Sequence, residues 1–301
     1  MFKAFSYLKQ HNNGNEIDNY KDFYRRFSNE REFGGGTFSH FDHLVKNRFM
    51  NIYGHLSNVV LRKNPLNILD IGCGAGVNLP LANQYPDVKY FGIDYAEKAL
   101  EHSKNIYKNI DFQVMDAFDL TFEDDCFDMV IISSVLILYS DIQDRLRILK
   151  NASRVLKKDG GVLVAIMWNE APLLKASVRL SRVLARLKNI ILPNDFMAVY
   201  LNDAECSDMF DSAGFNVKEK ILTGSYYGAL EAAQYLSMGK YRRKFGVEEK
   251  QHGLSKKQNI LEDLKESSGA NIVIIGLLYL LAKYFPSSIS MYSVYVLESK
   301  K

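Results

Sequence analysis

Cysteine is scarce in this chain of 301 residues. The three that occur, Cys73, Cys126 and Cys206, are far apart and odd in number, which excludes a disulfide framework and points to a reducing compartment. No cysteine–histidine cluster has zinc-like spacing. A strong charge of either sign is also missing. The net charge of +3 falls short of the concentrated basic face that a nucleic-acid binder carries. No apolar run reaches the roughly 20 residues of a membrane-spanning helix. The nearest, Ile272–Ala282, is interrupted by Gly276 and suits a buried or interfacial helix. Met1–Gln10 lacks the apolar core and small-residue cleavage site of a signal peptide. The expectation is therefore a cytoplasmic chain, in peripheral contact at most with the inner face of a membrane. There is no internal repeat and no low-complexity tract. What is present is ordinary for a soluble globular protein: 47 % apolar and 24 % charged residues, in a length that suits one large α/β domain with insertions or two small domains.

The organisation changes along the chain. Residues 1–60 read as a polar helical segment and lid, with a hinge at Gly34–Gly36, where three consecutive glycines are costly to order. Residues 61–170 alternate short apolar runs (Asn67–Ile71, Tyr90–Ile93, Phe112–Met115, Met129–Ile132, Gly161–Ile166) with helix-like segments (Asn78–Gln84, Ala96–Tyr107, Asp141–Leu156). That alternation specifies βαβ units and a parallel sheet. A helical insertion follows at 171–212, with predicted helices over Leu173–Leu192 and Asp203–Ala213. A sixth core strand falls in 213–225 (Phe215–Leu222), a helical cap in 226–288, and a last core strand in 289–301 (Met291–Leu297).

The first strand ends in a glycine-rich turn, Asp70-Ile71-Gly72-Cys73-Gly74-Ala75-Gly76. Without a Cβ, the backbone of Gly72, Gly74 and Gly76 can approach a ligand closely, and the following helix start offers free N–H groups to an anion. Two details discriminate between ligands. The dinucleotide pattern G-x-G-x-x-G fails, because the position three after Gly74 is Val77. Asp70, at the strand tip, is awkward beside a pyrophosphate and sensible beside an ammonium group. Cys73, between glycines, offers its backbone.

The segment Asp70–Gly76 resembles the first motif of class I S-adenosylmethionine (SAM)-dependent methyltransferases. The resemblance continues at Phe91–Asp94, Phe112–Ala117, Phe127–Ser133 and Leu156–Gly161, in order and over about a third of the chain. It implies a doubly wound, mostly parallel, Rossmann-like sheet of seven strands, the last antiparallel, with helical insertions. It also implies that Asp70 and the loop holding Gly72, Cys73, Gly74 and Gly76 bind the amino acid end of SAM. Asp94 would hold the ribose hydroxyls. Asp116 and Ala117 would meet the adenine, and Ser133 would border the cofactor at the end of the fourth strand. Tyr95 suits packing on the adenine as well as it suits an ordinary core position.

Methyl transfer to oxygen also needs a base. His40 and His43, beside the glycine hinge, are the candidates; the alternative is a pair of plain helix histidines. Where many relatives carry a His or aromatic residue after the fourth strand, this chain has Leu138 followed by Tyr139, which puts that acceptor contact in doubt and makes Tyr139 a further candidate. Glu170 is a weaker one. Lys175, Arg179, Arg182 and Arg186 would form one basic stripe in a helix. With Tyr241–Phe245 and Ile272–Ala282 they fit a small-molecule or lipid-linked acceptor near a membrane. The expected activity is SAM-dependent methyl transfer, with no metal and no nucleic acid. The alternatives are an NAD-dependent oxidoreductase and a non-catalytic SAM-binding regulator.

Overall fold

The computed structural model describes residues 52–74 apart from Tyr53, residues 78–169, 201–224 and 292–300, and single positions within 171–180 and 277–290. The glycine hinge with His40 and His43, the loop residues Ala75, Gly76 and Val77, Glu170, the basic stripe and the cluster Tyr241–Phe245 lie outside the described residues. So does most of the predicted helix Leu173–Leu192, of which Leu173, Ala176 and Leu180 are seen in helix.

The strands are β1 (Asn67–Ile71), β2 (Lys89–Asp94), β3 (Ile110–Val114), β4 (Met129–Ser133), β5 (Val162–Trp168), β6 (Phe215–Thr223) and β7 (Tyr292–Ser299). They form one seven-stranded sheet in the order β3-β2-β1-β4-β5-β7-β6. The first five run parallel and β7 is antiparallel to β5. The middle strands read as continuous apolar runs, Met-Val-Ile-Ile in β4 and Val-Leu-Val-Ala-Ile-Met in β5. Strands covered on both faces have no polar side to present. β3 begins two residues earlier than its apolar pattern suggests, because Ile110 pairs with Tyr90 before the run starts.

The helices are α1 (Pro80–Gln84), α2 (Glu97–Ile106), α3 (Ile142–Val155) and α4 (Asp203–Ser212). The chemistry of their ends explains their limits. Asp141 caps α3 by accepting from the Gln143 N–H at 2.9 Å. Asn202 and Glu205 form a reciprocal capping box at α4, and Gly214 takes φ +86 just beyond its end, a conformation that favours glycine.

The chain divides into two compact units. One comprises Met1–Trp168, Asp195–Ile221 and Tyr292–Lys301; the other comprises Asn169–Asn194 and Leu222–Met291. In the first, β1 and β4 lie side by side at the centre, and the strand order runs outward in opposite directions from them. In open α/β sheets that switch point, at the carboxyl ends of the strands, is where ligands bind.

Candidate cofactor site at the carboxyl edge of the sheet

Three backbone hydrogen bonds shape the turn after β1. Gly72 and Cys73 both donate to the Ile93 carbonyl, at 2.8 and 2.9 Å. The Gly74 N–H donates to the Asp94 carboxylate at 2.9 Å. Gly72 and Gly74 have φ of +71 and +53. A Cβ on Gly72 would stand 2.4 Å from Val135 Cγ2, so the turn is pressed against the loop after β4 and only glycine fits. Gly92, paired with Asp70 across β1 and β2, leaves room beneath the turn for Cys73 Sγ and the Phe112 ring, each 3.0 Å from a built Cβ.

Asp70 is fully buried. Its Oδ2 accepts from the Tyr90 hydroxyl at 3.1 Å and from Asn78 Nδ2 at 3.2 Å. Burial pushes its pKa up to about 7, opposed by the Asn78 and Tyr90 donors and reinforced by the charge of Asp94. Asp94 is buried as well and accepts backbone N–H groups from Ala96 at 2.8 Å and Gly74 at 2.9 Å. Burial raises it to about 6, against the pull of the Ala96, Gly74 and Tyr95 backbone donors. Among the described residues, no lysine or arginine figures in the groups that set either charge. Two buried carboxylates supported only by neutral donors make a site that favours a cation. A carboxylate offers about four lone-pair directions, so with the Ala96, Gly74 and Tyr95 backbone donors in place Asp94 keeps acceptor capacity for about one further donor.

Asp116 lies just after β3, half-buried, and its Oδ1 accepts from the Phe118 N–H at 3.0 Å, an Asx turn. The Ala117 carbonyl is held by Asn151 Nδ2 at 3.1 Å. Phe118 packs edge-on to Tyr139 with ring centres 5.2 Å apart, which joins the loops after β3 and β4. Ser133 ends β4, half-buried, and Tyr95 follows β2, also half-buried. Tyr139 is buried. Burial, reinforced by the charge of Asp116, pushes its phenol well above the ordinary range, so it keeps its proton and suits donation rather than base catalysis. Burial also pushes the Cys73 thiol up, as fits an inert residue.

The structure thus gathers Asp70, Gly72, Cys73, Gly74 and Asp94 at one turn, with Gly74 bonded to Asp94 and the charge of Asp94 felt at Asp70, and sets Asp116, Ala117 and Tyr139 together in the neighbouring loops. The residues that sequence reasoning missed are Asn78, Tyr90 and Ser103. Ser103 Oγ on α2 donates to the Gly74 carbonyl at 3.3 Å. Tyr90 was discoverable: it precedes Gly92 by two, and Gly92 is the register partner of Asp70, so Tyr90 shares a sheet face with Asp70.

A parallel sheet with its glycine turn, and acids at successive strand tips, defines a nucleoside-binding α/β domain whose ligand carries positive charge. A family model for the methyltransferase domain matches residues 62–214, just over half of the chain, and the chain belongs to that family, the class I SAM-dependent methyltransferases. Membership implies S-adenosylmethionine as cofactor, and the donor set described above fits it. Among curated relatives, the chain is 33 % identical over 107 residues to a demethylmenaquinone methyltransferase of Thermotoga maritima, covering 35 % of this chain and 45 % of that one. It is 36 % identical over 101 residues to the probable tRNA methyltransferase 9B of Homo sapiens, covering 34 % of this chain and 21 % of that one. The matched region thus spans less than half the length of either relative. Among solved structures, the magnesium protoporphyrin IX methyltransferase of Synechocystis PCC 6803 with bound SAM aligns at a TM-score of 0.50 and 16 % identity, covering 71 % of this chain and 92 % of that one. That likeness concerns the fold.

Proposed function

We propose that this protein transfers the methyl group of S-adenosylmethionine to a small-molecule or lipid-linked acceptor, at oxygen. The observation that carries the cofactor half is the pair of buried carboxylates, Asp70 and Asp94, which among the described residues have only neutral donors around them. An anionic dinucleotide would meet repulsion there, whereas a ligand with an ammonium and a sulfonium relieves it. S-adenosylmethionine supplies an already activated methyl carbon. The protein's own residues then have three tasks. Asp70 and the turn at Gly72–Gly74 hold the amino acid end, Asp94 orients the ribose, and Asp116 with the Ala117 backbone positions the adenine. Fixing these groups aligns the acceptor for in-line attack, and a dry pocket suppresses side reactions. A proton from an oxygen acceptor would go to His40 or His43 in the N-terminal segment. Tyr139 would hydrogen-bond the acceptor.

Two observations support a lipid-linked acceptor. Leu277, Leu280, Tyr284 and Phe285 are exposed apolar residues, and the first three recur at helical spacing. Solvent exposure of such a row fits a surface that meets lipid. One curated relative is named for demethylmenaquinone. Among the described residues, no helix is long and apolar enough to cross a membrane.

The test has two parts. Calorimetric titration should show SAM binding and no NAD binding. Incubation with methyl-labelled SAM and either a small-molecule extract or a lipid extract of cells should label a product whose methyl sits on oxygen. NAD binding in preference to SAM overturns the cofactor assignment. SAM binding with no turnover on any fraction overturns the catalytic one, and a methyl on carbon or nitrogen overturns the choice of atom.

A further inference from the structure

Three polar side chains meet beneath the glycine turn, all of them buried: Asp70 at 0 % exposure, Tyr90 at 2 % and Asn78 at 3 %. They come from three different places: the tip of β1, the second residue of β2 and the entry to α1. Asn78 stands on the far side of the turn from Asp70, and Tyr90 stands below it on the adjacent strand. Both donate to the same oxygen, Oδ2, at 3.2 and 3.1 Å. Among the described residues, Oδ1 receives only a long contact of 3.4 Å from Asn78, so it keeps most of its acceptor capacity. Polar groups of this size are buried at a cost of kilocalories unless each finds its partner. A Phe in place of Tyr90 would fill the same volume without that requirement, so the hydroxyl is there for Asp70.

We propose that Tyr90, braced with Asn78, is a positioning residue for cofactor binding: it fixes the Asp70 carboxylate by Oδ2 and leaves Oδ1 for the ammonium group of the ligand. This rests on the reading of the turn as the SAM site. Tyr90 touches neither the reacting atoms nor the cofactor; it acts through Asp70. The other ionised group whose charge Asp70 meets, among the described residues, is Asp94 on β2, which disfavours a negative charge on Asp70. The Cys73 thiol within the turn, its pKa pushed up by burial and by Asp70, stays neutral. The Tyr90 and Asn78 donors oppose burial and Asp94. Removing the Tyr90 hydroxyl therefore makes Asp70 harder to ionise.

The test compares the wild-type full chain with Tyr90→Phe and Asn78→Ala. SAM affinity is measured by calorimetry in steps from about pH 5.5 to 9, with the fold checked by circular dichroism at each step. A ligand that needs the Asp70 carboxylate binds above its pKa and is lost as the pH falls through it. In Tyr90→Phe the midpoint of that loss should move up by about one pH unit, the equivalent of one hydrogen bond to a charged group. Affinity at alkaline pH should return toward wild type, and Asn78→Ala should shift the same way. A packing role alone would lower the melting temperature and leave the midpoint in place. An unmoved midpoint in both variants overturns the proposal. If the wild type binds no SAM at any pH, the cofactor reading fails instead. The brace is then judged by the infrared carboxyl band that Asp70→Asn removes: its titration should move upward in Tyr90→Phe, and a band that titrates unchanged overturns the brace.

Discussion

The two ends of the same sheet treat aspartate in opposite ways. Asp128 stands at the amino edge, just before β4. Its Oδ1 pairs with Lys157 at 2.7 Å, and its Oδ2 accepts from the Asn67 and Leu66 N–H groups at 2.9 and 3.1 Å. Partial burial works to raise its pKa, but the Lys157 hydrogen bond and the two backbone donors outweigh it, and the carboxyl is held below its ordinary value. Asp70 and Asp94 stand at the carboxyl edge, more deeply buried, with neutral donors and each other for company. Their pKa values go up. The first arrangement is how a fold uses a carboxylate to join a strand to the turn before the next one. The second leaves negative charge uncompensated, which a fold tolerates where a ligand supplies the missing counter-charge. The difference in sign sets Asp70 and Asp94 apart from Asp128 without reference to any motif.

Substitutions sharpen the contrast, beginning with the largest effect. Gly72→Ala forces a Cβ to within 2.4 Å of Val135 Cγ2 and places a side chain at φ +71. SAM affinity should drop by about 100-fold or more, the scale of a steric clash added to roughly 1–2 kcal/mol of left-handed strain. Adding Val135→Ala should restore part of the loss but not the strain. Calorimetry on both variants checks this, and full retention of affinity in Gly72→Ala would show that the turn does not touch the ligand. Next, Asp94→Ala should weaken SAM by about 1.5–3 kcal/mol, the usual range for hydrogen bonds to a charged group. The same change at Asp128 should leave SAM affinity alone and lower stability by about 1 kcal/mol or more, since it strands two backbone donors. Equal effects of the two changes on SAM affinity would erase the distinction between the edges.

Much of the first half was legible in the sequence because its signals are local. The apolar run Asn67–Ile71 coincides with β1. Asp141 and Leu156, the predicted ends of a helix, are the two caps of α3. Positive φ at Gly72 and Gly74 follows from the turn that a strand-to-helix reversal requires. The support of the site was less legible, because it depends on register and on contacts far apart in sequence. The pairing of Asp70 with Tyr90 spans 20 residues, and that of Ser103 with Gly74 spans 29. Ser103 sits in no recognisable pattern, and the role of Tyr90 is readable only once the β1–β2 register is known. The acceptor side was least legible. Neither Leu138 nor Tyr139 singles out an acceptor, and no periodicity in a sequence encodes which molecule receives a methyl group.

The central claim is that Asp70 and Asp94 are buried acids awaiting a cationic ligand, and the pH dependence of stability tests it most directly. A carboxyl whose folded pKa lies above its unfolded value favours folding below the unfolded pKa, near 3.8 here, and that contribution disappears as the pH rises through the folded values of about 6 and 7. The measurement is urea unfolding of the wild type and of an Asp70→Asn, Asp94→Asn double variant between about pH 4 and 8, with and without SAM. Without SAM, the wild type should lose stability relative to the double variant as the pH rises across that window. With SAM, the wild type should recover it and the variant should not. A stability difference that stays constant with pH, or a wild type that gains relative to the variant without ligand, would contradict the account.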